Sequence, residues 1–228
     1  MHGNYEANLA MNKCDLMINV GARFDDRVTG RLDAFSPDSV KFHIDIDQSS
    51  INKNVKVDFH TNTDITMTLK EINSFIESNN IELEKKDYTN WWGQINDWRK
   101  KECLHYEQGE EIIKPQHAIS RLYDLTTQKD TFITTEVGQH QMWAAQYYKF
   151  SKPNRWITSG GLGTMGFGMP AAVGAQMANP DSLVIDIAGE ASFLMNVQEI
   201  ATAVQYKLPI KIFILNNEYM GMVRQWQE

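Results

Sequence analysis

Residues 182–196 read SLVIDIAGEASFLMN, and residues 210–217 read IKIFILNN. Each is a short apolar run that stops at small or polar residues, the pattern of a strand buried in a parallel sheet. Between them NVQEIATAVQY has helical spacing, so the stretch reads as a strand, a crossover helix and a strand. The first strand then delivers Glu190 and Ser192 to the carboxyl edge of the sheet, and the second delivers Asn216 and Asn217 to the same edge. Open α/β sheets bind ligands there. A carboxylate and an amide oxygen, with few other protein donors, suit a magnesium ion held mainly by phosphates. A helix starting near Asn196 is expected to aim its N-terminus at the same place. Taken alone, GEAS reads equally as a solvated turn.

Working outward, the same alternation fills most of the chain. Upstream are a helix with Pro115 in its first turn, the strand TFITTEV, the loop GQH with Gln139 and His140, the helix QMWAAQYYKF and the strand RWITS. The glycine-rich GGLGTMGFGMP and the helix AAVGAQMAN follow. Near the start, YEANLAMNKC has helical spacing and DLMINV is a buried strand closed by Gly21. SVKFHIDID is a strand ending in carboxylates, and DITMTLKEINSFIES is a helix with Ile65, Leu69, Ile72 and Ile76 on one face. The expected class is α/β, parallel sheets with helices on both faces. The segment from about 79 to 112 shifts to charged residues and carries Trp91, Trp92 and Trp98. It reads as a linker that becomes a helix packing its tryptophans on a neighbour.

Composition narrows the classes. With 228 residues, 42% hydrophobic and 22% charged, the chain can bury a core. It lacks the ~18-residue apolar run of a membrane helix. A net charge of −7, from 22 basic and 29 acidic residues, argues against a nucleic-acid surface. Cys14 and Cys103 stand far apart with no Cys-x-x-Cys spacing and no signal peptide, which favours a reducing cytoplasm over a disulfide framework. The chain opens in the middle of a helix-then-strand unit and closes soon after a strand, so a fragment of a longer protein is expected.

GLGTMG, residues 161–166, matches the dinucleotide fingerprint, with Asp186 twenty residues beyond Gly166. That acid should end a strand, yet Asp186 lies inside one, with three residues to run before the turn. The crowded glycines therefore point to another ligand approaching the backbone or to a structural bend.

In order along the chain, MHGNYEANLAMNKCDLMINVGARFDDRVTGR, HIDID, GQHQMWAAQYY, RWITSGGLGTMGFGMPAAVGAQMA and GEASFLMNVQEIATAVQYKLPIKIFILNNEYMGMVRQWQ together resemble the acetolactate synthase catalytic subunit, a thiamine-diphosphate-dependent family. The resemblance covers nearly everything except the 79–111 stretch. It implies the C-terminal part of an FAD-binding central domain at 1–78, a charged linker at 79–112, and at 113–228 most of a thiamine diphosphate domain, truncated at its C-terminus. The family's first domain, which supplies the glutamate that activates the cofactor, is absent, so the fragment alone is expected to be inactive.

Carried over by motif, the resemblance implies magnesium ligation by Glu190, Asn217 and the main-chain oxygen of Tyr219. Gln139, His140, Glu190, Ala191 and Ser192 would surround the diphosphate, with Gly163, Gly221 and Met222 also at the cofactor. Met165 would press against the cofactor's bend, Gln139 would assist, and Trp226 would shape the pocket for the second keto acid. His2, Gly21, Arg23, Asp45 and Asp64 match flavin-contacting segments, and Asp26 and Arg27 lie near the flavin and the substrate entrance. One departure stands out: the family motif begins Gly-Asp, and Glu190 is one methylene longer. The implied activity condenses two pyruvates to 2-acetolactate with loss of carbon dioxide, or pyruvate with 2-oxobutyrate to 2-aceto-2-hydroxybutyrate, toward valine and isoleucine. Implied partners are 2-keto acids, copies of the chain in a dimer or tetramer that shares the site, and a small regulatory subunit. The alternatives are a pyruvate oxidase or glyoxylate carboligase type of enzyme, or a non-catalytic flavin- or nucleotide-binding relative.

Overall fold

A computed structural model of the chain describes residues 3–228. The chain divides into two compact units, one running through His105 and the other from Tyr106 to Glu228.

In the first unit α1 (Tyr5–Lys13) leads into β1 (Leu16–Val20), α2 (Asp26–Thr29), β2 (Val40–Ile44), β3 (Phe59–Thr61) and α3 (Ile65–Ser78), with α4 (Thr89–Arg99) last. The strands form a parallel sheet in the order β1-β2-β3. Asp64 starts α3 by accepting the main-chain N–H groups of Thr66 and Met67 at 2.8 and 3.3 Å, as an N-cap carboxylate should. Phe24, Phe35 and Val55 form a small core with Met11, Met17 and Val57 against it. Leu16, Ile18, Val20, Val40 and Phe59 remain exposed. The apolar stripe expected on α3 is also largely open to solvent, with Leu69 and Ile72 exposed. Within the charged stretch, α4 packs on α1, Ile95 of α4 is buried, and Trp91 meets Trp98 edge to face at 5.8 Å. Trp92 is exposed.

The second unit comprises α5 (Pro115–Thr126), β4 (Thr131–Thr135), α6 (Gln139–Tyr147), β5 (Trp156–Thr158), α7 (Gly168–Ala178), β6 (Leu183–Ala188), α8 (Glu190–Leu194), α9 (Glu199–Gln205), β7 (Lys211–Ile214) and α10 (Gly221–Gln227). Its parallel sheet runs β5-β4-β6-β7. Because β4 and β6 are neighbours in register from Thr131↔Leu183 to Thr135↔Ile187, side chains alternate across the two faces as a pair. Ile133, Ile185 and Ile187 point to one face, where they pack with Ile119, Ala144 and Tyr148 of α5 and the α6 end. Phe132 and Val184 point to the other, against Ala172 and Ala175 of α7. The expected helical cover on both faces is thus present in this sheet.

Three local expectations are corrected. Gln139 and His140 open α6 instead of lying in a loop, because Gly138 supplies the carbonyl that Gln141 N–H meets at 3.1 Å and the helix starts at once. The helix expected near Asn196 begins at Glu199 as α9, and the expected turn EAS instead forms the short helix α8 from Glu190. Asn196 itself falls in the break before α9, its side chain donating to Gly166 O and accepting from Gln198. Finally, α7 begins at Gly168 instead of beyond the glycine-rich run.

Ile133 has no solvent exposure, so Ile133→Ala is expected to cost about 2–5 kcal/mol of unfolding free energy by chemical denaturation. Ile18→Ala, on the open face of β1, is expected to stay within about 0.5 kcal/mol.

Candidate functional site at the carboxyl edge of the second sheet

The chain goes from β4 to β5 on one side and then crosses back to place β6 on the other side of β4. That reversal opens a crevice beyond the carboxyl ends of β4 and β6, the standard ligand position of open α/β sheets. A cleft occupies it. Its walls include Gln139 and His140 after β4, Glu190, Ala191 and Ser192 after β6, and Asn217, Tyr219, Gly221 and Met222 after β7. Met165 reaches it from the glycine-rich turn. Residues as far apart in sequence as Gln139 and Asn217, 78 positions, are therefore brought together. Gly163 and Trp226 do not line this cleft. Gly163 bends the turn at a φ of 74°, and Trp226 is 75% exposed on α10.

Glycines set the spacing of the walls. A Cβ on Gly189 would come within 2.7 Å of His140 Nδ1, and one on Gly138 within 2.7 Å of His140 Cε1. A Cβ on Gly221 would collide with Gln139 Oε1. At Gly138 and Gly189 the lack of a side chain lets the backbone close on the imidazole ring.

The polar groups are prepared for a ligand in different degrees. Burial pushes the His140 imidazole down to about 4, partly offset by a hydrogen bond to the main chain of Glu136, so the ring is neutral at pH 7. Its Nε2 is buried without a protein partner. Ser192 is buried and its hydroxyl donates to Gly189 O at 3.2 Å. Asn217 Oδ1 accepts Tyr219 N–H at 3.3 Å, and Asn216 Oδ1 accepts Glu218 N–H at 2.9 Å, which folds the loop after β7 toward the cleft. Glu190 is half-buried at the first position of α8. One carboxylate, one amide oxygen and one main-chain oxygen are too few for an all-protein cage, and no cluster of three His, Cys, Asp or Glu occurs among the described residues. Such a sparse oxygen set suits a hard cation whose other ligands are phosphate oxygens. The orphaned His140 Nε2 and the glycine-lined walls likewise fit a polar group lodged beside them.

Beneath the cleft lie two carboxylates that spacing alone did not single out as a pair. Asp186 and Glu136 are fully buried. Thr134 Oγ1 donates to Asp186 Oδ1 at 3.1 Å. Burial, and then the charge of Glu136, raise Asp186 to about 7. The acid at 186 is therefore sealed inside the sheet and cannot serve a ribose, which removes the dinucleotide reading of GLGTMG.

In the first unit Gly21, Asp45 and Asp64 follow β1, β2 and β3 and share one sheet edge. Gly21 has a φ of 64° and open space where a Cβ would stand. Asp45 accepts Asp47 N–H at 2.8 Å and contacts His43 Nε2 at 3.4 Å, while Asp64 caps α3. Arg23 and Asp26 line a separate cleft with Asp25 and Lys53; Arg27 sits nearby on α2, exposed beside Asp26. His2 lies outside the described residues.

Between pH ~4 and ~7 the folded chain retains a proton on Asp186 that the unfolded chain has lost. The stability tied to this group therefore falls as pH rises through that window. Asp186→Asn removes the dependence while keeping an acceptor for Thr134. The stability difference, variant minus parent, is expected to grow by roughly 4 kcal/mol between pH 4 and pH 8, at ~1.4 kcal/mol per unit, in urea titrations at each pH. His140 acts with the opposite sign, losing stability as pH falls through ~6.5 toward ~4, and cancels in the comparison.

Comparison with known proteins agrees with this geometry. Residues 136–228 match the C-terminal TPP binding domain of thiamine pyrophosphate enzymes, and residues 1–72 match their central domain. The whole chain is 47% identical to acetolactate synthase isozyme 3 large subunit of Escherichia coli K12, covering 40% of that protein. It is 47% identical to chloroplastic acetolactate synthase of Arabidopsis thaliana, covering 34%, and 43% identical to the acetolactate synthase large subunit of Haemophilus influenzae, covering 39%. It thus spans well under half the length of these relatives. On its two domain matches and its end-to-end similarity to these large subunits, the chain belongs to the thiamine pyrophosphate enzyme family.

Proposed function

We propose that this chain forms the thiamine-diphosphate-binding portion, with part of the central domain, of an acetolactate synthase large subunit. The observation that carries the reading is the single cleft into which three strand ends bring Gln139 and His140, Glu190 and Ser192, and Asn217 and Tyr219, with Met165 facing them. Glu190, Asn217 Oδ1 and the Tyr219 carbonyl would hold Mg²⁺. Gln139, His140 Nε2 and the Ala191 and Ser192 region would take the diphosphate oxygens. Bound there, thiamine diphosphate supplies the electron sink that lets a 2-keto acid lose carbon dioxide and join a second keto acid. The chain's own part is to orient and to exclude water. Met165 offers a polarisable apolar wedge, Trp143 and Leu215 dry the wall, and the glycines keep the backbone close. Glu190 must absorb one methylene more than the family's aspartate, which its position at the free start of a five-residue helix makes feasible.

The substrates would be pyruvate and 2-oxobutyrate, and Trp226, exposed here, would meet the acceptor in the assembled protein. FAD would bind at the edge marked by Gly21, Arg23, Asp45 and Asp64, with His2 contributing. The assembly would be a dimer or tetramer sharing its sites, with a regulatory small subunit, in a reducing cytoplasm compatible with the free Cys14 and Cys103. The domain limits would follow the 1–78, 79–112 and 113–228 division. Relatives named as large subunits support the partner reading. Among the described residues no helix is long and apolar enough to cross a membrane.

The test is a chimaera in which residues 1–228 replace the aligned part of the E. coli isozyme 3 large subunit. It is expected to form acetolactate from pyruvate only with thiamine diphosphate and Mg²⁺ both present. Glu190→Ala should lower activity at least about tenfold, as loss of a metal-site partner does, whereas Glu190→Asp should preserve it. A folded chimaera that makes no acetolactate with either carboxylate would overturn the proposal. The 228-residue chain alone is expected to make none.

A further inference from the structure

Met165 stands in a turn that has no regular hydrogen-bonding partner strand, yet its position relative to the cleft is what the proposed site depends on. The turn is gripped from three sides. Thr164 N–H donates to Ser159 Oγ at 3.0 Å. Asn196 Nδ2 donates to Gly166 O. The third grip is Glu136, whose Oε2 accepts Gly166 N–H at 2.7 Å and whose Oε1 accepts Met169 N–H at 3.0 Å.

The third grip differs in kind. Glu136 has no solvent exposure, and a buried carboxylate is costly unless its oxygens are satisfied. Here each oxygen meets one main-chain donor. Phe167, at the N-cap of α7, makes no side-chain cap of its own, so the carboxylate from β4, 33 residues away, caps the second residue of an 11-residue helix. Negative charge is favoured at that end of a helix. The approach is close enough that a Cβ on Gly168 would collide with Asp186 Oδ1 and come within 2.7 Å of Glu136 N. The groups facing Glu136 are Asp186 from β6, Thr134 from its own strand, the amides of the turn and α7, and the His140 ring at its main chain.

We propose that Glu136 is a positioning residue: its buried carboxylate caps α7, holds Gly166, and so fixes where the adjacent Met165 projects into the cleft. The consequence for cofactor binding rests on the function proposed above; the grip on the turn does not. Asp186 lies beside it in the same dry site, where burial and then the neighbouring Glu136 raise its hold on a proton.

Amide hydrogen exchange by NMR on the 228-residue chain tests the grip directly. In Glu136→Gln, whose amide offers one acceptor and one donor where two acceptors stood, exchange at Gly166 and Met169 is expected to accelerate at least about tenfold, the equivalent of one lost charged hydrogen bond. Ile133 and Ile187, inside the sheet, should keep their protection. The methyl resonance of Met165 should shift, and the dissociation constant for thiamine diphosphate with Mg²⁺ should rise about tenfold. Asp186→Asn should leave the two amides and the Met165 resonance as in the parent. Unchanged exchange at Gly166 and Met169 in Glu136→Gln would overturn the proposal. So would equal loss of protection in Asp186→Asn, or unaltered thiamine diphosphate affinity once protection is lost. If Glu136→Gln fails to fold, the Asp186→Asn result decides. The affinities are measured in the chimaera, and a parent chimaera that takes up no thiamine diphosphate would refute the proposed function instead, while the exchange result still judged the grip.

Discussion

Parallel strands all finish at the same edge, and each must return through a helix before the next begins. In the second unit this constraint places the segments after β4, β6 and β7 side by side, and the reversal of strand order between β4 and β6 holds them apart by a crevice. Everything at the site follows from that edge. The polar residues are there because strands end there, and the small residues are there because neighbouring backbones must pass within contact of His140 and Gln139.

The buried carboxylates add a second layer. Asp186 and Glu136 lie buried between the apolar interior and the cleft, one with its hold on a proton raised by burial and one satisfied by two amides. Glu136 ties the end of β4 to the start of α7, so that the sheet, the glycine-rich turn and the helix share a fixed geometry. A neutral core at those positions would pack as well, but it would leave the turn carrying Met165 without its longest-range anchor.

Much of this was legible in the residues. The alternation of short apolar runs with helical spacing announced parallel α/β sheets, and Glu190, Asn217, Gln139 and His140 stood at strand ends, where period and turn chemistry put them. What was not legible depends on tertiary packing. EAS looked like a turn because Gly189 precedes it, whereas a short helix runs from Glu190 to Leu194, and beyond it the Asn196 side chain is drawn to Gly166. The α3 stripe looked like a core face, but Leu69 and Ile72 remain open in this chain. The Glu136 grip joins residues 30 and 33 positions apart, a distance at which no local pattern is informative. Asp186 has the spacing of a nucleotide-binding acid, but its place inside a strand already argued against that role, and its burial agrees.

The central claim is that the carboxyl edge of the second sheet holds a metal–diphosphate group. Titration calorimetry of thiamine diphosphate into the chimaera with the E. coli isozyme 3 large subunit, with Mg²⁺ and then with the metal chelated, tests it most directly. The account predicts saturable binding at one site per chain that requires the metal and disappears in Glu190→Ala. Binding that is indifferent to Mg²⁺ and to Glu190, or no saturable binding at all, would contradict it.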